Sequence, residues 1–228
     1  MPVVTIAQSK GGAGKTTLTL ALASEYAAMG GSVIILDADR QNSMLNWYKD
    51  RLEAGRGVND GITVVDASQL KDQDIGPAIE KARSQANLVI VDSEGTSNMK
   101  TAFACQDSDY VVVPTRSSRL DLERTVETAE MLRRMCKGVP YRVLITQTAQ
   151  VARSKTELEI DRQIAEAFPS FSDRMHTLDA FRAMSNYRMT LAEVDEAALA
   201  KCDRARSIAQ NVLVTVLEEI KAKEEVDD

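Results

Sequence analysis

The chain has 228 residues, enough for a single α/β domain whose core needs no metal or disulfide staple. Its 28 Lys and Arg are outnumbered by 34 Asp and Glu, a formal charge of −6 that excludes a wholesale polycationic nucleic-acid binder but leaves room for one local basic patch. A hydrophobic content of 44% excludes disorder, apolar runs of about five residues exclude a membrane span, and three cysteines without a Cys-x-x-Cys pair spell out neither a zinc nor an iron–sulfur site.

Polar Gln8, Ser9 and Lys10 come too early for a signal peptide, so a cytoplasmic protein with Cys105, Cys136 and Cys202 as free thiols is expected. Residues 3–7 read as a first strand. Directly after it comes Ser9-Lys10-Gly11-Gly12-Ala13-Gly14-Lys15-Thr16-Thr17, followed by a helix beginning near Lys15. Strand, glycine-rich loop and helix in this order make a P-loop: the glycines let successive N–H groups point at phosphate oxygens, and the helix N-terminus adds partial positive charge. Lys15 is placed for the β/γ-phosphates and the Thr16 hydroxyl for Mg²⁺. Lys10 is a second cation beside the triphosphate.

A second strand, 32–36, runs into Asp37-Ala38-Asp39-Arg40-Gln41-Asn42. Two carboxylates at i and i+2 beside a P-loop are suited to Mg²⁺ and to the attacking water. Strands follow at 62–65 and 88–91, the latter ending in Asp92-Ser93-Glu94-Gly95, and then at 110–113. A helix over 120–136 places Leu122, Val126, Ala129, Leu132 and Cys136 on one stripe. A strand at 141–146 precedes a helix over 155–168, opened by a Ser154/Glu157 capping box. A last amphipathic helix is expected over 195–223. Several strands are continuously apolar, as strands buried on both faces are. The alternation predicts one doubly wound α/β domain over 1–228, a mostly parallel sheet flanked by helices, with ligands at the strands' carboxyl ends. No linker or repeat divides the chain. Trp47 and His176 stand alone in sequence and read as packing or surface residues.

The string Lys-Gly-Gly-x-Gly-Lys-Thr resembles the deviant P-loop of the ParA/MinD family of ATPases. In that family the extra lysine reaches across a nucleotide-sandwich dimer, so the resemblance implies this role for Lys10 and an ATP-dependent homodimer. The family's Asp-x-Asp-Pro-Gln matches Asp37 to Gln41, implying that Asp39 positions the catalytic water and Asp37 supports the metal through its water shell; Arg40 replaces the proline. Asp92 and Gly95 resemble the Walker B aspartate and the glycine of a γ-phosphate-sensing loop. The implied nucleotide contacts are Lys10, Gly11, Gly12, Ala13, Gly14, Lys15, Thr16, Thr17, Asp92 and Gly95, with Lys10, Lys15 and Asp39 catalytic and ATP and Mg²⁺ as cofactors. No guanine-reading motif appears, which favours ATP, with adenine near Thr146-Gln147-Thr148 and the loop after Pro114.

Three functional readings follow from the resemblance. A ParA-like ATPase would bind DNA non-specifically, associate with the nucleoid, and hydrolyse ATP when a ParB-like or cargo adaptor stimulates it. The stretch 174–206 supplies Arg174, Arg182, Arg188, Lys201, Arg204 and Arg206 against five acids, so Arg182, Arg188, Arg204 and Arg206 are the candidate DNA contacts; an ordinary solvated face is the alternative. The chain starts at its first strand, which leaves no room for a helix-turn-helix domain ahead of it. Residues 175–181 also resemble the small T-DNA-transfer accessory ATPases of the family. A MinD-like membrane role is disfavoured by the acidic end Glu224-Glu225-Val226-Asp227-Asp228, and a role like that of the nitrogenase iron protein by the lack of a matching cysteine motif.

Overall fold

The computed structural model describes residues 1–95 and 98–227. Seven strands form one all-parallel sheet: β1 (Val3–Ile6), β2 (Val33–Asp37), β3 (Ile62–Asp66), β4 (Leu88–Asp92), β5 (Tyr110–Thr115), β6 (Tyr141–Thr148) and β7 (Ser170–His176). Their spatial order is β3-β2-β4-β1-β5-β6-β7. The helices are α1 (Lys15–Ala28), α2 (Ser43–Glu53), α3 (Ile75–Arg83), α4 (Met99–Gln106), α5 (Arg119–Met135), α6 (Lys155–Ala167), α7 (Asp179–Tyr187), α8 (Leu191–Glu196) and α9 (Asp203–Asp227).

Every residue of β1, β2, β4 and β5 is buried. Strand alternation divides their unbroken apolar runs between two faces. Val4, Ile6, Ile35, Ile90 and Val112 point to the face covered by α1, α2, α7, α8 and α9, where they meet Leu18, Leu22, Trp47, Phe181 and Val212. On the other face Ile34, Leu36, Val89 and Val91 meet α3 and α4. Val111, Val113, Val143 and Ile145 meet α5 and α6 there.

Three elements differ from the sequence expectation. The edge strand β7 was not foreseen, because Ser-Phe-Ser-Asp-Arg-Met-His lacks both β-branched residues and apolar alternation. The expected helix 195–223 is two helices: α8 starts at its own Thr190/Glu193 capping box, Ala198 takes a left-handed φ of 52°, and α9 begins only at Asp203. Val126, assigned to the buried stripe of α5, is 41% exposed, and the helix buries Thr125 and Thr128 in its place. Those hydroxyls hold Gln8: Thr128 Oγ1 donates to Gln8 Oε1 at 3.0 Å, and Gln8 Nε2 donates to Thr125 Oγ1 and the Pro114 carbonyl. The Ser154 capping box of α6 is present as expected.

Candidate functional site

The sheet order makes β2, β4 and β1 adjacent, and the register aligns Asp92 with Asp37 on one side and Ile6 on the other. Residues distant in sequence therefore meet at one end of the sheet: the loop after β1, the Asp37–Asn42 turn and the Asp92–Gly95 loop.

The loop after β1 is braced by protein bonds. Gly14 caps α1 at φ 89°, a conformation that only glycine adopts without strain. Thr146 Oγ1 donates to the Ala13 carbonyl at 2.8 Å, and Gln147 Nε2 donates to the Gly12 carbonyl at 2.7 Å. From the other side Gly95 lies against the loop so closely that a Cβ there would stand 2.9 Å from Gly11 N. Ser93, the residue after Asp92, donates its hydroxyl to the Ile6 carbonyl at 2.8 Å. Lys15 is 6% exposed and donates to the Lys10 carbonyl at 3.4 Å. Burial lowers its pKa, while Asp92, Asp39 and Glu94 pull it upward. These carboxylates oppose the loss of charge that burial favours, at the place where phosphates would arrive.

The carboxylates opposite are held differently. Asp37 is buried, with Oδ2 accepting from Leu45 N at 2.9 Å and Oδ1 from Asp39 N at 3.2 Å. It thereby anchors the start of α2. Burial raises its pKa and these two N–H groups oppose the rise. Asp39 Oδ1 accepts from Gln41 N at 2.9 Å, a local turn that leaves the carboxylate half-buried beside Lys15 and Asp92. Asp92 is 1% exposed, and among the described residues neither of its oxygens has a hydrogen bond. Burial pushes its pKa up to about 7, against the pull of Thr16 and Lys15.

A buried carboxylate without protein donors, facing a threonine hydroxyl, has the chemistry of a hard-cation ligand. Among the described residues no three His, Cys, Asp or Glu side chains form a metal cage. Mg²⁺ is a cation held by one or two protein oxygens together with substrate phosphates. Thr16 and Asp92 are the residues that fit it; Asp37, expected to support the metal through its water shell, already accepts from Leu45 N of α2 and from Asp39 N of the preceding turn.

Lys10 does not point along the loop. Its Nζ pairs at 3.0 Å with Asp121 of the same chain, a 2% exposed carboxylate at the start of α5 that Arg116 and Ser118 also hold. Nothing in the sequence marked Asp121. Gly14 and Thr17 open onto a cavity of about 440 Å³ whose far wall is β7 and α7, with Met175, His176, Phe181 and Asn186. Of the stretch expected near adenine, Thr146 and Gln147 line this cavity, while Thr148 and the loop after Pro114 (Arg116, Ser117 and Ser118) border a separate one beside Asp121. Residues 175–181 stand out in the sequence by resemblance, but nothing in their pattern places them at this wall. Trp47 packs as expected, donating Nε1 to the Met184 carbonyl at 2.9 Å.

The four arginines expected to touch DNA occupy separate settings. Arg182 lines the cavity beside Gly14 and Thr17 and pairs with Asp179. Arg188 ends α7 and pairs with Asp50 at 2.6 Å. Arg206 pairs with Glu25, which is fully buried on α1, so it ties α9 to α1. Arg204, on the other side of α9, donates to His176 Nε2 at 2.8 Å.

Comparison with known sequences and structures fits this geometry. The sequence model of the VirC1 protein family matches residues 1–226. The chain belongs to the VirC1 family. A VirC1 protein of Rhizobium rhizogenes is 27% identical over 225 residues, 95% of this chain and 96% of that one. A ParA protein of Rhizobium radiobacter is 29% identical over 170 residues, 73% of each chain. A plasmid partition protein of Borrelia burgdorferi bound to AMPPNP superposes with a TM-score of 0.70 at 16% identity, covering 96% of this chain and 98% of that one. The fold of this VirC1-family chain is that of ParA- and MinD-type P-loop ATPases. Among the described residues no helix is long and apolar enough to cross a membrane.

Proposed function

We propose that the chain is a slow, Mg²⁺-dependent ATPase that works as a switch: ATP closes a homodimer, the dimer binds DNA without sequence preference, and an adaptor protein stimulates hydrolysis and release. Such a cycle would place a DNA molecule, a transfer complex or a protein cluster within the cytoplasm, at the nucleoid. The observation that carries this reading is the buried Asp92 carboxylate, near Thr16 and Lys15 and, among the described residues, without a donor in hydrogen-bonding geometry, beside a braced P-loop.

In this mechanism the loop's N–H groups and the N-terminus of α1 hold the phosphates, and Lys15 neutralises the charge that spreads onto the γ-phosphate oxygens. When bound at Thr16 and Asp92, Mg²⁺ would neutralise the phosphate charge from the opposite side. Asp39 accepts a hydrogen bond from a water and aims it at the γ-phosphorus. The P–O bond to the β-phosphate breaks, and ADP and phosphate leave. Gly95 lies against the loop and transmits the presence of the γ-phosphate toward α4. Lys10 leaves Asp121 and meets the partner's phosphates. The kinship with a ParA protein and the likeness to a plasmid partition protein support a role in positioning.

Sedimentation velocity with ATP, ADP and no nucleotide tests the switch. A dimer is expected only with ATP, and it is lost in Lys10→Ala while ATP still binds the monomer. A Lys10→Ala chain that dimerises like the wild type contradicts the role given to Lys10.

A further inference from the structure

The edge strand β7 and the first turns of α9 enclose a second cavity, of about 330 Å³, walled by Ser172, Asp173, Arg174, His176, Arg204 and Ser207. Its cations outweigh its acids. Asp161, 4% exposed, is shared between Arg174 at 2.9 Å and Arg153, and it also accepts from Ser117. Asp173 accepts from Asn211 at 3.4 Å. Arg204 has no ion pair among the described residues.

Arg204 spends one donor on an imidazole: its Nη2 donates to His176 Nε2 at 2.8 Å. Guanidinium only donates, so Nε2 supplies a lone pair. The ring proton then lies on Nδ1 and is donated to Thr148 Oγ1, also at 2.8 Å. His176 is neutral in this arrangement, and its burial beside Arg204, Arg174 and Arg153 favours that form. The bond leaves the full charge of Arg204 uncompensated. A planar guanidinium with free donors, a second arginine and two serine hydroxyls around a small cavity match a phosphate oxyanion. The partial positive charge at the start of α9 adds to the same field. His176 walls the P-loop-side cavity as well, so one ring separates the two.

We propose that this cavity seats a backbone phosphate of nucleic acid, with Arg204 as its principal contact, and that His176 couples the seat to the nucleotide cavity. The inference rests on the DNA-binding reading above and gives it one location in place of four scattered arginines. A phosphate on Arg204 competes with the His176 lone pair for the same donors. A base that displaces His176 frees those donors, so occupancy of one cavity favours occupancy of the other.

The test is binding of the full chain to random-sequence duplex DNA in Mg²⁺-ATP and in ADP over a salt series. Arg204→Gln is expected to bind about tenfold more weakly, with a salt slope reduced by about one per seat, while Arg204→Lys keeps most of the slope. Arg162→Gln, on the exposed side of α6, serves as the control and keeps wild-type binding. His176→Gln should shrink the difference between ATP and ADP. Unchanged thermal unfolding of Arg204→Gln establishes that its loss is not misfolding. If the wild type binds DNA and Arg204→Gln matches it in affinity and slope, the seat is elsewhere and the DNA reading stands. If the wild type binds no duplex in any state even at low salt, both fall.

Discussion

The two sides of the phosphate site are built on opposite terms. On the P-loop side the loop is braced by protein groups: Thr146 and Gln147 hold the Ala13 and Gly12 carbonyls, Gly95 abuts Gly11, and Gln8 is bonded to Pro114, Thr125 and Thr128. On the carboxylate side Asp92 is 1% exposed, and among the described residues no donor lies within 3.5 Å of its oxygens in hydrogen-bonding geometry. Raising its pKa from 3.8 to about 7 means that ionised Asp92 costs the fold about 4 kcal/mol at neutral pH. The loop is preorganised; the carboxylate is held at a cost that a divalent cation would relieve. The difference teaches where selection for function overrides selection for stability.

The sharpest way to break this contrast is at its two charged centres. Lys15→Ala removes the buried cation and should abolish ATP binding, by at least 100-fold in calorimetry; retained affinity would mean that the backbone loop alone binds. Asp39→Ala should leave ATP affinity within about threefold and reduce phosphate release at least 100-fold, since Asp39 acts on water and not on the nucleotide. Gly95→Ala forces a Cβ to 2.9 Å from Gly11 N, so it should shift the loop and weaken ATP about tenfold.

Asp92→Asn separates stability from function. Without Mg²⁺ at pH 8 the variant should melt several degrees above the wild type, because it no longer buries a charge, and it should lose Mg²⁺-dependent ATP binding. The sign of the pH dependence follows from the raised pKa. Between about pH 4 and 7 the unfolded chain has released the Asp92 proton while the folded chain retains it, so this residue's contribution falls as pH rises through that window and is flat above it. The advantage of Asn over Asp should therefore grow from pH 4 to 7 and then level off. A constant difference across that range would show that Asp92 is not the group titrating. The smallest effect is expected for Arg206→Gln, which uncovers the buried Glu25 but leaves Gln210 bonded to it at 2.6 Å. A loss of about 2 kcal/mol, read from denaturant melts, is expected.

The sequence carried the P-loop side almost entirely, since spacing after a strand dictates backbone geometry there. It also carried Asp37, Asp39 and Asp92, because an apolar strand ending in a carboxylate places it at the sheet's ligand-binding end. Relations across the sheet were not legible. The pairing of Lys10 with Asp121 and the place of His176 between two cavities depend on which strands are neighbours, and β7 carries too little apolar pattern to announce itself. Charge counting likewise grouped Arg204 with Arg206, although residues two apart on a helix face different surroundings: one meets a histidine, the other a buried glutamate.

The measurement that bears most directly on the account is ATP binding to the wild-type chain and to Asp92→Asn, each in Mg²⁺ and in EDTA. The account predicts that Mg²⁺ strengthens binding at least tenfold in the wild type and hardly at all in Asp92→Asn. Equal dependence on Mg²⁺ in both chains, or none in the wild type, would contradict the assignment of Asp92 and Thr16 as the metal-holding pair.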